Sequence, residues 1–178
     1  DSYLNATYVW DGERYVSADE FNNTGAITKT AGVTDGTNYS RFAIVFNNDG
    51  SLAVQTGLLR LDDGGESDGT FTVAGGATLR FGDNWYSTAT PHVLSAGSVL
   101  SGAGSVVVDD YGSVYVLGGY TAAHTPVNNG TLTFGGGGAG LAFAGATAAG
   151  SYDLPVLVMN GGALQGSADI AVTQAMTW

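Results

Sequence analysis

Bulky apolar residues alternate with polar or small ones along most of this chain, two to a run, and the runs are set apart by glycine-bearing turns. Leu52-Ala53-Val54, Leu59-Arg60-Leu61, Phe71-Thr72-Val73, Leu79-Arg80-Phe81, Val106-Val107-Val108, Val114-Tyr115-Val116, Leu132-Thr133-Phe134 and Ile170-Ala171-Val172 all follow this pattern. In an extended backbone successive side chains point to opposite faces, so each run offers one apolar face two residues wide. Apolar spacing of three and four residues is nearly absent, because Gly, Thr, Ser, Asn and Val interrupt every window that could carry it. The pattern predicts an all-β protein built from many short strands.

Several runs follow a small turn unit: Asn48-Asp49-Gly50 before Leu52, Gly75-Gly76-Ala77 before Leu79, Tyr111-Gly112-Ser113 before Val114, and Asn129-Gly130 before Leu132. Asn, Asp and Gly tolerate the positive φ that tight turns require. Turn and strand thus recur as a unit, which is the mark of a repeat architecture. A longer echo adds to it: Leu100 and Leu164, Gly102 and Gly166, Val106 and Ile170, and Val108 and Val172 are all 64 residues apart. With coils on the order of 20 residues, that separation predicts three coils between equivalent positions. Turn glycines 25, 50, 76, 97, 112, 130 and 162 are unevenly spaced, so the loops must differ in length.

One such unit cannot bury a core alone. Stacking units buries a continuous apolar column and pairs backbone groups with the coils above and below. A β-sandwich also uses short alternating strands, but it lacks an internal register of this kind and has longer strands. The expected fold is therefore a β-solenoid, a parallel β-helix, over residues 21–178, with residues 1–20 (Tyr3, Tyr8, Trp10, Tyr15) as an irregular lead-in or N-terminal coil. Trp10 and Trp178 are expected to pack over the ends of the column, where strand edges and apolar surface need a cover.

The stretches Phe46–Leu61, Gly69–Phe81 and Leu94–Gly104, with their Asn-Asp-Gly-Ser-Leu, Gly-Thr-Phe-Thr-Val and Gly-Ser-Val-Leu-Ser-Gly runs, resemble the repeats of large bacterial surface proteins of the adhesin and autotransporter-passenger type. The likeness extends over about residues 21–178. It implies a right-handed parallel β-helix outside the cell that serves as a stalk or adhesive surface. A tail-fibre or matrix protein would share the same fold physics.

Composition narrows the functional classes. Glycine fills 29 of 178 positions and only 12% of residues are charged, as suits a turn-rich all-β chain. The 44% apolar content argues against disorder. A net charge of −11 repels phosphate backbones and anionic lipid, so nucleic acid and membrane surfaces are poor partners. Without cysteine there is no disulfide, zinc thiolate or thiol nucleophile, and no apolar run is long enough for a membrane helix. The chain starts Asp1-Ser2-Tyr3 and stops just after a strand-like run, which reads as a fragment of a longer secreted or cell-surface protein. Expected partners are neighbouring coils of the parent chain and a host or environmental surface, glycan or protein.

Candidate chemistry sits in the stretches that break the repeat. Asp62, Asp63, Glu66 and Asp68 supply four carboxylates in seven residues, an oxygen-rich candidate for calcium, although a solvated acidic loop is the default for such a run. Asp83, Asn84, Trp85 and Tyr86 form the candidate ligand site, where aromatic faces would stack on sugars while Asp and Asn bond hydroxyls, although rings that fold back to cover the solenoid edge are the default for such a pair. The glycine-rich stretch 135–150 holds at most a weak strand at Leu141-Ala142-Phe143. Only His92 and His124 could titrate near neutrality as unperturbed side chains, and neither sits in a nucleophile motif. Asp109 and Asp110 are neighbours, and on a strand they would face opposite ways. No catalytic residue is assigned, and no cofactor beyond the calcium candidate. A non-enzymatic structural or adhesive module is the first functional expectation. A carbohydrate-binding or polysaccharide-degrading β-helix using loops 62–68 and 83–91 is the second.

Overall fold

The computed structural model describes residues 2–5, 7–10, 15–17, 19–33, 39–82, 90–109, 111–134 and 151–178. Among them there is no helix, and nearly all strand pairing is parallel. That excludes the sandwich, whose sheets are antiparallel.

Strands follow one another around three faces. The first face stacks β4 (Glu20–Asn23), β7 (Val45–Asn48), β10 (Gly65–Ser67), β13 (His92–Leu94), β15 (Ser113–Val116), β17 (Thr131–Phe134) and β19 (Ala163–Gly166) into one seven-stranded sheet. The second face holds β5 (Ala26–Lys29), β8 (Ser51–Val54) and β11 (Thr70–Val73). On the third lie β1 (Ser2–Asn5), β6 (Tyr39–Ala43), β9 (Leu58–Leu61) and β12 (Thr78–Phe81). The second and third faces then merge in the long strands β14 (Val99–Asp109), β16 (Gly119–Asn128), β18 (Ser151–Met159) and β20 (Asp169–Thr177). The first part of β14 pairs with β11 and its last part with β12, so the eleven-stranded sheet turns a corner within a single strand. A register shift between Gly102 and Ser105 marks that corner. The arrangement is β-solenoid-like.

Register shows the coil length directly. Ser51 lies beside Thr70, Leu58 beside Thr78 and Ser113 beside Thr131, steps of nineteen, twenty and eighteen residues. Longer steps, such as Gly65 to His92 and Thr131 to Ala163, include the segments 83–89 and 135–150. The stretch 135–150, with its strand expected at Leu141-Ala142-Phe143, lies outside the described residues.

The alternating runs bury the side chains that their pattern selects. Leu52, Phe71 and Leu100 form one column; Leu59, Leu79 and Val106 a second; Leu61, Phe81, Val108 and Val127 a third. The 64-residue echo, however, is not a coil register. Leu100 stacks against Leu52 and Phe71 through β11, whereas Leu164 stacks on Leu132 on the first face. Ile170 lies beside Tyr152, and Val106 beside Leu79. Insertions of unequal length between these positions change the phase, so similarity of local sequence does not place residues on one face.

Polar groups complete the stack at the turns. Asn23 donates from its amide to Asn48 Oδ1 (2.6 Å), and Asn48 in turn donates to the Thr70 carbonyl (3.0 Å). Asn48 is fully buried, so this ladder meets the cost of carrying amides into the interior. Backbone spacing there demands glycine: a Cβ on Gly50 would lie 2.1 Å from the Gly25 oxygen, and one on Gly69 2.2 Å from the Gly50 oxygen.

Residues 1–20 are part coil and part departure from it. β1 joins the third face beside β6, whereas β2 (Tyr8–Trp10) and β3 (Tyr15–Ser17) form an antiparallel pair. Trp178 is 95% exposed, so the expected end-packing does not occur at that residue. The side chain of Trp10 is outside the described residues.

Candidate binding surface

The turns joining the third face to the first carry most of the residues singled out by sequence. Asp62 and Asp63 follow β9 directly, and both are buried. Arg41, Arg60 and Arg80 occupy successive rungs of the third face in register, so three of the five Lys and Arg residues of the chain form one stripe. Stacked like charges repel, and buried carboxylates between them reverse the sign of the interaction. Asp62 bonds to Arg41 Nε on one rung and to Arg60 Nη2 at 3.1 Å on the next. Arg80 pairs with Asp109 at 3.0 Å, and Arg60 lies over the Tyr39 ring.

The acids of the 62–68 run are engaged separately. Asp62 is committed to two guanidinium groups. Asp68 Oδ1 accepts from the Ser95 hydroxyl (2.7 Å) and the Gly97 N–H (3.0 Å). Glu66 is exposed on β10 and donates its backbone N–H to Asn47 Oδ1 (2.9 Å). Asp62, Asp63, Glu66 and Asp68 therefore do not converge, and among the described residues no group of three or more His, Asp or Glu side chains could hold a metal ion. The arginine stripe was missed by sequence reading, yet its trace was there: Leu-Arg-Leu in β9 and Leu-Arg-Phe in β12 are one coil apart.

Asp83, Asn84, Trp85 and Tyr86 lie outside the described residues. The two ends of their segment do not. Gly82 sits against Asp62, and Pro91 accepts a hydrogen bond from the Gly65 N–H at 3.2 Å. The flanking residues Gly82 and Pro91 thus meet the 62–65 turn at one corner of neighbouring coils.

His92 occupies an inward column position that the next coils give to Val114, Leu132 and Leu164. It is buried, with the Phe81 ring 4.8 Å away, and Nε2 accepts from the Gly64 N–H at 3.2 Å. Burial lowers its pKa from 6.5 to about 4, against a smaller opposing effect from a backbone hydrogen bond with Leu61. It is a neutral clasp for the 61–64 turn. His124 behaves otherwise: half-buried on the outer side of β16, it shares a 3.0 Å hydrogen bond between Nδ1 and Ser105 Oγ on the rung before. The sequence showed no such pair because its members belong to different coils. Of the adjacent acids, Asp109 is held by Arg80, and Asp110 lies outside the described residues.

The same corner continues along the stack. Asp109 is in register with Asn128, whose Oδ1 accepts from the Asn160 amide at 2.9 Å. Next to this polar column, Tyr111 and Asn129 have positive φ (62° and 58°), and Tyr111 is 76% exposed. A cavity of about 470 Å³ lies elsewhere, between β5 and β6, lined by Ile27, Lys29, Phe42 and Leu59 among others.

Fold and surface define a class: an all-β, parallel, solenoid-like protein in which Arg41, Arg60, Arg80, Asp62, Asp68, Asp109 and His92, among the described residues, are engaged in holding coils and turns together. No protein-family model matches the chain, and neither the curated proteins nor the solved structures show significant similarity to it.

Proposed function

We propose that this chain is a non-enzymatic structural and adhesive β-solenoid module of a large bacterial surface or secreted protein, acting outside the cell and holding a binding surface along its coils. The observation that carries this reading is the commitment of its reactive side chains to the stack: Asp62 to two arginines, Asp68 to a turn, His92 to the interior. Side chains so engaged brace a scaffold and are poorly placed to move protons on a substrate. A right-handed coil belongs to the proposal, since about 98% of parallel crossovers within a sheet have that hand.

A second reading, a carbohydrate-binding or polysaccharide-degrading β-helix using loops 62–68 and 83–91, draws on the contact of Gly82 and Pro91 with the 62–65 turn. One experiment separates the two. Beads carrying the purified chain are incubated with polysaccharide and protein films while released reducing ends are measured. Retention on a film without new reducing ends is the expected result. Release of reducing ends by the wild-type chain would overturn the non-enzymatic reading, and failure to adhere to any film would overturn the adhesive one.

A further inference from the structure

We infer that the corner built by Asp109, Tyr111, Asn128 and Asn160 is a contact strip for a neutral polysaccharide chain running along the solenoid axis. The inference deepens the adhesive reading and rests on it.

Tyr111 holds a backbone conformation unusual for its residue type. Register places Tyr111, Asn129 and Gly161 at the same point of three successive turns, each three residues before Val114, Leu132 and Leu164, which stack on one another. All three have positive φ: 62°, 58° and 82°. Glycine adopts this region freely and asparagine tolerates it, whereas a side chain with a bulky ring is strained there. Strain of this kind persists where something else compensates for it. Burial is not the compensation at Tyr111, because 76% of the residue is exposed. A large ring held out in solvent, at a position where two neighbouring coils manage with Asn and Gly, fits a contact with another molecule.

The chemistry beside the ring selects the partner. Asp109, Asn128 and Asn160 follow one another on adjacent rungs, with Asn160 bonded to Asn128 and Asp109 tied to Arg80. Rungs are about 4.8 Å apart in a sheet, close to the length of one sugar unit in an extended glycan. Amide and carboxylate groups repeating at that interval suit successive hydroxyls, and the phenol ring suits the apolar face of a pyranose. A net charge of −11 disfavours uronate and sulfated polymers, so the occupant is neutral.

The test is affinity electrophoresis of the 178-residue chain in gels containing a neutral β-glucan, a galactomannan or, as the acidic contrast, alginate, with Tyr111→Asn and Tyr111→Trp variants alongside. We expect wild type and Tyr111→Trp to be retarded by at least one neutral polymer and not by alginate. Tyr111→Asn should bind on the order of tenfold more weakly, while its thermal midpoint rises by roughly 2–4 °C as the strain is relieved. The gain in stability shows that lost binding is not lost folding. Equal retardation of Tyr111→Asn and wild type would overturn the strip and leave adhesion standing. No retardation of wild type by either neutral polymer would also overturn it, and the bead assay would then judge adhesion separately.

Discussion

A histidine in an aliphatic column makes folding sensitive to acid. His92 keeps its neutral form because burial penalises the imidazolium, with its pKa lowered from 6.5 to about 4. Between these values the unfolded chain binds the proton and the folded chain does not, so stability falls as the pH drops. The contribution of His92 is complete above about pH 6.5, declines toward pH 4 and is then exhausted, a loss of roughly 3 kcal/mol. Urea unfolding at pH 7.5 and 4.5 should show this difference, and His92→Leu should flatten the slope across that window, since Leu is what a later coil carries in that column. An equal slope in both proteins would sink the assignment. Sequence alone offered His92 and His124 as equivalent titrating groups. The column position that buries one and leaves the other half-exposed comes from strands on different faces of adjacent coils.

At the scale of the element, the turn decides the strand. Gly50 and Gly76 both precede short strands and look alike in sequence. Their surroundings differ: a Cβ on Gly50 would collide with the Gly25 backbone at 2.1 Å, whereas one on Gly76 meets nothing within 4 Å. Gly50→Ala must therefore spread two coils and should cost about 3 kcal/mol. Gly76→Ala bears only the positive φ of its site, +80°, and should cost about 1 kcal/mol. Thermal denaturation of the two variants checks the order, and a larger loss for Gly76→Ala would contradict the coil spacing. Strands were legible from alternation because inward and outward positions differ in polarity at every second residue. Which face a strand joins was not legible, as the misplaced pairing of Leu100 with Leu164 shows. The partner of Asp62 was hidden for a related reason: it is Arg41, twenty-one residues away, on another rung.

The whole molecule is a stack in which each coil is stabilised chiefly by its neighbours. Opening should be easiest at the ends and hardest in the middle. Leu79, Leu100 and Val108 in the central coils are essentially inaccessible, whereas Met176 is 46% exposed and Ile170 and Val172 are only partly buried. Hydrogen exchange of the 178-residue chain should therefore show the slowest amides in β11, β12 and β14 and fast exchange in β19 and β20. Uniform protection from one end to the other would mean that the chain opens as a single unit.

Alternation and turn residues by themselves determined that this chain is all-β and built of strands set apart by tight turns, because those features depend only on the period of an extended backbone and on which residues accept positive φ. Parallel stacking was an expectation from the repeat, whereas the three faces, the arginine stripe shared with Asp62, the burial of His92 and the exposed strained ring of Tyr111 were decided by tertiary structure. Each depends on what lies one coil above or below. In a solenoid that neighbour is about twenty residues away plus an insertion of any length, and the sequence carries no ruler for the insertion.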